Sequence, residues 1–202
     1  AWEEDRATFF KAVTNDDTGT AAHIIAEYPG EWTKWKNDKG ISGLQVAQER
    51  GNLAALTLLL DHGAEINERY KNGWYPIHMA YKGRQTEIFN ALLERGADLD
   101  KEVVTKRAGE FTSACTTTLL HMAVEADDKN TLVSLLEHGA KASITTRHLN
   151  FYIPLIHTSA NYLSAGELAT KKGRHLLGDL ITRANVLRAD FLAAAAKPAP
   201  AV

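Results

Sequence analysis

Cys115 and His121 are the side chains whose types and spacing come nearest to a catalytic pair in this sequence. A cysteine beside a histidine base can act as a nucleophile, but the reaction also needs a pocket that stabilises an oxyanion. The two residues lie in and just after a threonine-rich stretch, and no sequence feature indicates such a pocket. We therefore predict that the chain is not an enzyme and that Cys115→Ala leaves its function intact.

The chain contains eight histidines and one cysteine. No set of them has the spacing of zinc ligands. The glycine motifs of phosphate-binding and dinucleotide-binding loops are also absent from the sequence. We predict no bound metal and no cofactor, and a single cysteine excludes an internal disulfide.

The composition narrows the class of partner. The chain has 202 residues, of which 45% are hydrophobic, so it can bury a substantial core as one domain or one short array. Its net charge of -2 and its pI of about 6.5 give no basic footprint for nucleic acid. No apolar run approaches the ~20 residues that span a bilayer. We expect neither nucleic acid nor a membrane as the partner.

Three segments of the chain read almost alike, each with a leucine pair before a Gly-Ala pair. They span residues 58–67, 91–100 and 134–140. Gly63 and Gly96 are 33 residues apart, whereas Gly96 and Gly139 are 43 residues apart. A second motif spans residues 42–47, 75–80 and 118–123. It begins 21 residues before the glycine in every copy, so the two motifs form one repeating unit.

This unit resembles the ankyrin repeat, which has a β-turn finger, a first helix starting with Thr-Pro-Leu-His, and a second helix ending in Leu-Leu-x-x-Gly-Ala. Weaker copies at both ends bring the number to about five, and terminal repeats are expected to be atypical. The units span about residues 5–36, 37–69, 70–102, 113–145 and 159–186. The resemblance implies an all-α repeat solenoid in one domain over residues 1–196. We expect a capping helix over residues 185–196 and a disordered tail at 197–202.

The residues before each first helix are suited to capping it. Ser42, Thr118 and Ser164 each place a hydroxyl where it can accept a hydrogen bond from an orphan backbone N–H. Ser164 and Glu167 have the spacing of a capping box. Tyr75 departs from this pattern and should cost about 1 kcal/mol of capping energy. A different reason for a tyrosine at this position is therefore expected.

Glycines and basic residues mark the ends of the second helices. Gly63, Gly96 and Gly139 suit the left-handed position just past a helix. The residue before each is basic: His62, Arg95 and His138. Positive charge there opposes the helix dipole. For His78 and His121, at the histidine position of the repeat, the resemblance implies a structural role in bracing neighbouring turns.

The departures from the 33-residue spacing fall in two finger regions, at about residues 101–115 and 144–158. Insertions in a repeat array collect on one face, often the binding face. The second insertion contains the apolar residues Phe151, Tyr152, Ile153 and Leu155. Two interpretations remain open. These residues cover the end of the stack as a short strand or helix, or they protrude and anchor a partner.

Trp74 occupies the outward finger position of its repeat, and Ile41 has the same position in the preceding repeat. Ankyrin proteins bind partners along the fingers and the adjoining first helices, so the resemblance implies a protein-binding surface here. The other expected contacts are Tyr75, Tyr81, Lys82, Glu49, Arg50 and Glu125. The alternative for Trp74 is packing against a neighbouring finger. Three tryptophans are expected to close the open end of the first unit: Trp2, Trp32 and Trp35.

We expect a non-enzymatic binding protein, monomeric when free, because the array fills the chain and its ends are capped. A more specific expectation is a small inhibitor or immunity protein whose fingers cover the active site of a partner enzyme. Exported bacterial ankyrin proteins that protect a cell from its own cell-wall peptidases resemble it in size and design. A small first residue, Ala1, is what cleavage of an export signal leaves, so a periplasmic location is favoured over a cytoplasmic one. The alternative is a cytoplasmic adaptor that links two proteins.

Overall fold

The computed structural model describes residues 2–105, 115–149 and 160–195. The chain forms two compact units, Ala1–Asp98 and Leu99–Val202. The single domain over residues 1–196 stays a prediction, and the expected tail at 197–202 lies outside the described residues. Among the described helices, none is both long enough and apolar enough to cross a membrane.

Unit 1 (Ala1–Asp98) consists of three helix pairs. They are α1 (Trp2–Thr14) with α2 (Thr18–Glu27), α3 (Gly43–Arg50) with α4 (Leu53–Asp61), and α5 (Pro76–Lys82) with α6 (Thr86–Glu94). The first helices pack in the order α1, α3, α5, and the second helices in the order α2, α4, α6. Unit 1 is therefore two layers of helices. A 3-10 turn, Trp32–Lys34, lies between α2 and α3.

Unit 2 (Leu99–Val202) alternates β-hairpins with helix pairs. Its elements are β1 (Val103–Thr105), β2 (Cys115–Thr117), α7 (Leu119–Ala126), α8 (Lys129–Glu137), β3 (Thr145–Leu149), β4 (Ala160–Ser164), α9 (Ala165–Lys171) and α10 (His175–Ala195). β1 pairs antiparallel with β2, with Val103 opposite Thr117. β3 pairs antiparallel with β4, with Thr145 opposite Ser164. α7 packs on α9, α8 packs on α10, and β2 lies beside β3.

The predicted array of about five helix pairs with a C-terminal helix is confirmed. Both lengthened fingers begin and end as antiparallel strands. The capping helix expected at residues 185–196 has no separate start, because it continues α10 without a break. The physical reason is that no proline or glycine interrupts the chain between Leu180 and Ala195.

The seam between helix pairs is made of leucines that no single pair could bury. In unit 1, Leu56, Leu59 and Leu92 have no exposed surface, and in unit 2 the same holds for Leu132 and Leu135. Burying such a side chain contributes about 1.5–3 kcal/mol. Because the neighbouring pair supplies half of each contact, the pairs stabilise one another.

Aromatic rings close the start of unit 1. The ring centroids of Trp32 and Trp35 lie 5.8 and 5.7 Å from that of Phe9, and both tryptophans are buried. The prediction that three tryptophans close this end is correct for these two and wrong for Trp2, which is 54% exposed. Trp2 is the first residue of α1 and extends toward solvent, where the Arg6 guanidinium lies 6.0 Å from its ring.

Two of the three predicted helix caps are confirmed. The Ser42 hydroxyl accepts a hydrogen bond from the backbone N–H of Gln45 at 3.2 Å. Ser164 and Glu167 form the expected capping box, which also lowers the pKa of Glu167. The prediction was wrong for Thr118, whose hydroxyl is 2.8 Å from Nδ1 of the buried His121. This hydroxyl therefore holds the histidine ring and does not cap α7.

The ends of the second helices match the prediction closely. Gly63, Gly96 and Gly139 have φ values of 97°, 77° and 92°, in the left-handed region that glycine tolerates. Nδ1 of His62 is 2.8 Å from the Leu58 carbonyl, and Nδ1 of His138 is 2.8 Å from the Ser134 carbonyl. Each of these carbonyls also accepts from the backbone N–H of the same histidine at 3.1 Å, so the rings add a second hydrogen bond at the end of the helix.

The turn between the two helices of each pair also needs a left-handed residue. Gly51 and Gly173 provide it in two repeats, with φ values of 71° and 69°. Arg84 and Asp127 hold the equivalent positions with φ values of 54° and 58°. A Cβ in this region crowds the following carbonyl, which costs roughly 1–2 kcal/mol for most residues.

Replacing Arg84 by glycine should therefore stabilise the protein by about 0.5–1 kcal/mol, a gain reduced by the greater entropy of glycine in the unfolded chain. Urea unfolding of the wild type and Arg84→Gly measures the difference. The opposite change, Gly51→Ala, is the control and should destabilise. A lower midpoint for Arg84→Gly would contradict the strain argument.

Arg188 anchors the extension of α10. Its Nη1 donates to the Ala140 carbonyl at 3.0 Å, and its Nη2 donates to the Leu136 carbonyl at 3.1 Å. Both carbonyls belong to the C-terminal end of α8 and the turn after it. The Leu136 carbonyl also accepts from the backbone N–H of Gly139 at 3.1 Å, so the guanidinium adds a charged donor there and opposes the helix dipole.

Arg188→Ala should lower the free energy of unfolding by about 1.5–3 kcal/mol, because it removes two hydrogen bonds from a charged donor. Arg188→Lys keeps the positive charge but has no second nitrogen to donate to the other carbonyl, so its free energy of unfolding should fall by less than that of Arg188→Ala. Chemical unfolding followed by circular dichroism gives both values. Equal losses of unfolding free energy in the two variants would mean that a positive charge at this position contributes nothing by itself.

Candidate functional site

The candidate surface is built around a tight turn that we call finger 2 (residues 68–75). The backbone N–H of Tyr70 donates to the Trp74 carbonyl and that of Gly73 donates to the Tyr70 carbonyl, both at 2.8 Å. Gly73 has a φ of 81°, which a Cβ would strain. The Asn72 side chain accepts from the N–H of Trp74 at 2.9 Å. Asn72 and Gly73 therefore fix the tip by ordinary turn chemistry.

Finger 2 is bonded to the preceding finger, finger 1 (residues 35–42). Glu68 accepts a hydrogen bond from the Ser42 hydroxyl at 2.6 Å and pairs with the Lys36 ammonium at 2.7 Å. At the tips, the Lys71 ammonium donates to the Lys39 carbonyl at 2.5 Å. The two fingers are thus held side by side at both their bases and their tips.

A buried polar network ties finger 2 to the helices behind it. The Tyr70 hydroxyl donates to Oε1 of Gln48 at 2.7 Å, and Nε2 of Gln48 donates to the Pro76 carbonyl at 2.6 Å. Nε2 of Gln85 donates to the Gln48 carbonyl at 2.7 Å. Tyr70 is 4% exposed, and this burial raises the pKa of its hydroxyl well above the usual value. Every bond in this network crosses between two elements, so the finger has one orientation.

Trp74 and Ile41, the two predicted finger residues, are each 8% exposed. The Trp74 ring lies edge-on to that of His78, with centroids 6.3 Å apart. The Lys82 ammonium lies over the Trp74 ring, 4.6 Å from its centroid. The structure thus places Trp74 as a support beneath Lys82, and its part in binding stays a prediction.

The neighbours of Trp74 in the predicted set are more accessible. Tyr75 and Tyr81 are half-buried, and Lys82 is exposed. The Tyr75 ring lies 5.8 Å from that of His78, and the Tyr81 ring lies 6.0 Å from that of Phe89. Each tyrosine therefore has one packed side and one side that a partner can reach.

Three other predicted residues lie exposed on first helices. Glu49 and Arg50 are at the end of α3, and Glu125 is near the end of α7. Glu49 accepts a hydrogen bond from Nε2 of Gln45 at 3.0 Å. Glu49 and Arg50 belong to unit 1, as finger 2 does, whereas Glu125 belongs to unit 2.

The apolar residues of the second insertion, Phe151, Tyr152, Ile153 and Leu155, lie outside the described residues. The strands on either side of them, β3 and β4, are described, and so are β1 and β2 of the first insertion. Whether these residues cover the stack or anchor a partner stays open.

The candidate chemical groups hold structural positions. His78 is 0% exposed and His121 is 1% exposed, and His121 is bonded to Thr118. Across residues 2–105, 115–149 and 160–195, no cluster of His, Cys, Asp or Glu is arranged to hold a metal ion. The bond to Thr118 supports the bracing role for His121, whereas His78 packs its ring against those of Trp74 and Tyr75.

Three exposed cationic side chains at the finger tips were not predicted from the sequence: Lys39, Arg69 and Lys71. The available signal was their position beside Asn-Gly and Lys-Gly turns in two successive repeats. That signal is weak, because surface turns commonly carry lysine.

Tyr70→Phe should lower the free energy of unfolding by about 1–3 kcal/mol, because it leaves the buried Oε1 of Gln48 without its donor. The pH dependence gives a second readout. Folding raises the pKa of Tyr70. Its hydroxyl therefore contributes fully to the free energy of unfolding below the unfolded-state pKa of about 10, and this contribution is lost as the pH rises from there through the folded-state pKa.

The wild type should therefore lose more stability than Tyr70→Phe above pH about 10. Tyr28, whose pKa a hydrogen bond to Asp5 raises to about 12, is present in both proteins and cancels in the comparison. Urea unfolding at several alkaline pH values measures this difference. Parallel curves for the two proteins would refute a buried, bonded Tyr70 hydroxyl.

Comparison with known proteins places this geometry in a family. A family model described as ankyrin repeats (3 copies) matches residues 9–103 and 44–148. Protein phosphatase 1 regulatory subunit 27 of Mus musculus is 38% identical over 61 residues, which are 30% of this chain and 40% of that protein. Putative ankyrin repeat protein FPV031 of Fowlpox virus (strain NVSL) is 28% identical over 144 residues, which are 70% of this chain and 38% of that protein.

NF-kappa-B inhibitor cactus of Drosophila yakuba is 30% identical over 92 residues, which are 45% of this chain and 19% of that protein. The chain thus spans less than half the length of these three relatives. Ankyrin repeats are protein–protein interaction modules and are typically non-catalytic. With family matches that together reach from residue 9 to residue 148 and the paired helices in place, the chain belongs to the ankyrin repeat family.

Proposed function

We propose that this chain is a small inhibitor that binds a partner enzyme and covers its active site. The contact surface in unit 1 is finger 2 with the accessible side of α5, and in unit 2 the two lengthened fingers provide further contacts. The observation that carries the proposal is that Tyr75, Tyr81 and Lys82 are accessible at the two ends of α5, with Lys82 over the buried Trp74. Tyrosine and tryptophan are enriched among the residues that dominate binding energy.

The buried network behind finger 2 supports this proposal. The hydrogen bonds of Tyr70 and Gln48 hold the finger in one orientation before a partner arrives. A surface ordered in advance loses less conformational entropy on binding, which favours tight association. Occlusion by a rigid surface needs no catalytic group and no movement of this chain.

The names of two relatives also fit this class of function. One is called a regulatory subunit of a protein phosphatase and another an inhibitor. In its most specific form, the proposal is a periplasmic immunity protein whose partner is a cell-wall peptidase. The support for that form is the likeness in repeat design to exported bacterial ankyrin proteins.

The test begins with affinity capture from a native lysate, followed by an activity assay of each captured enzyme. Wild-type protein should inhibit its partner. The double variant Tyr81→Ala/Lys82→Ala should bind about 30-fold more weakly, a loss of about 2 kcal/mol, because it removes an aromatic contact and a charge from the centre of the surface.

Lys129→Ala is the matched control, because Lys129 is exposed at the start of α8 in the other unit. It should inhibit as the wild type does. Melting temperatures of the three proteins check that the fold is intact. A partner enzyme that keeps full activity in the saturated complex would sink the inhibitor proposal.

A second candidate function is an adaptor that bridges two proteins. The division of the chain into two compact units favours it, because each unit carries fingers of its own. An adaptor binds two partners at once, so the captured proteins should form a ternary complex in size-exclusion chromatography. Competition between them for one surface would favour the inhibitor.

A further inference from the structure

The tips of fingers 1 and 2 carry a charge opposite to that of the chain as a whole. The net charge of the chain is -2. Residues 36–40 and 68–73, together with Lys82, contain five cationic side chains and two carboxylates. An excess of positive charge is therefore gathered in one small part of unit 1.

Short distances connect these cations into one patch. The Lys71 ammonium is bonded to the Lys39 carbonyl at 2.5 Å, so these two residues meet at the tips. The Arg69 guanidinium reaches across its own turn and lies beside Gly73. Lys82 lies over Trp74, the residue that follows Gly73. We call Lys39, Arg69, Lys71 and Lys82 the cationic patch.

Ion pairs within the described part of the chain do not neutralise the patch. The Glu68 carboxylate is occupied by Lys36 and by the Ser42 hydroxyl. Among the described residues, none of the four cations of the patch forms an ion pair. Asp38, at the tip of finger 1, is the other carboxylate in these segments.

Folding accounts for the contact of Lys71 with the Lys39 carbonyl and of Lys82 with Trp74, but not for the excess of positive charge. Like charges held close together repel, and an exposed ammonium contributes little to stability even when it is paired. The fingers are already fixed by the backbone turn and by the network of Tyr70 and Gln48. Local positive potential does favour the approach and correct orientation of a partner of opposite charge.

We infer that the cationic patch docks an acidic surface of the protein partner, with Asp or Glu carboxylates against Lys39, Arg69, Lys71 and Lys82. Arg69 can hold one carboxylate through two parallel hydrogen bonds, which lysine cannot do. Tyr75 and Tyr81 lie beside the patch and provide apolar contact for the same partner. This inference rests on the proposed function only in requiring that the partner is a protein.

A polyanion such as nucleic acid is the competing ligand for a cationic patch. The chain as a whole is acidic, and phosphate binding is normally served by a broad basic face. Four cations beside two tyrosines match a protein epitope of limited area better than they match a nucleic acid. The experiment below therefore distinguishes nucleic acid binding from protein binding.

The test is selection of binders from a random peptide library displayed on phage, with the full chain as the target. Peptides selected on the wild type should be enriched in Asp and Glu. The most enriched peptide, made synthetically, should bind at least about ten-fold more weakly to the triple variant Lys39→Glu/Arg69→Glu/Lys71→Glu. Its affinity for the wild type should fall as salt rises from about 0.05 to 0.5 M.

The matched control is Lys11→Glu/Lys129→Glu/Lys172→Glu, which changes the total charge equally at three exposed sites away from the fingers. It should bind the peptide within about two-fold of the wild type. Peptides without an acidic excess, equal losses in both triple variants, or tighter binding of a labelled single-stranded DNA than of the peptide would each overturn the inference. These outcomes differ from failure of the inhibitor proposal, which is read as enzyme activity that persists in the complex.

Discussion

The structure depends on one constraint: a helical hairpin of 33 residues has more apolar surface than it can bury by itself. Leu56, Leu59 and Leu92 reach zero exposure only because a neighbouring pair covers them. The same leucine seam recurs in unit 2 through Leu132 and Leu135. Because this packing fixes each pair against the next, it also fixes the spacing of the fingers that project from the pairs. The binding surface is therefore a consequence of core packing.

One part of unit 1 is held by polar contacts instead. Tyr70, Gln48 and Gln85 bury hydrogen-bonding groups whose transfer from water is costly unless each has a partner. Bonds of 2.6–2.7 Å to one another and to the Pro76 carbonyl meet that requirement. Such a network is directional, whereas leucine contacts are not, so it specifies the orientation of finger 2. A surface that recognises one partner requires a finger held in a fixed orientation.

The same repeat position carries different chemistry in different copies. Before α3 a serine caps the helix, before α7 a threonine holds a buried histidine, and before α5 Tyr75 packs its ring near His78. These exchanges leave the backbone of the repeat intact while changing what its surface presents. Of these three repeats, the one with no side-chain hydroxyl of Ser or Thr at this position is the one with Trp74, Lys82 and the cationic finger. Departure from the repeat pattern thus coincides with the candidate site.

The sequence by itself determined the features that depend on neighbours along the chain. The helix pairs, the left-handed Gly63, Gly96 and Gly139, and the caps at Ser42 and Ser164 each follow from residues within one turn. Only the tertiary structure decided that Trp74 is a buried support, and that Arg188 reaches the carbonyls of α8. It also decided that Lys39 and Lys71 meet. These contacts join residues 32 to 52 positions apart, or depend on how deeply packing buries a ring, and local residue pattern does not contain that information.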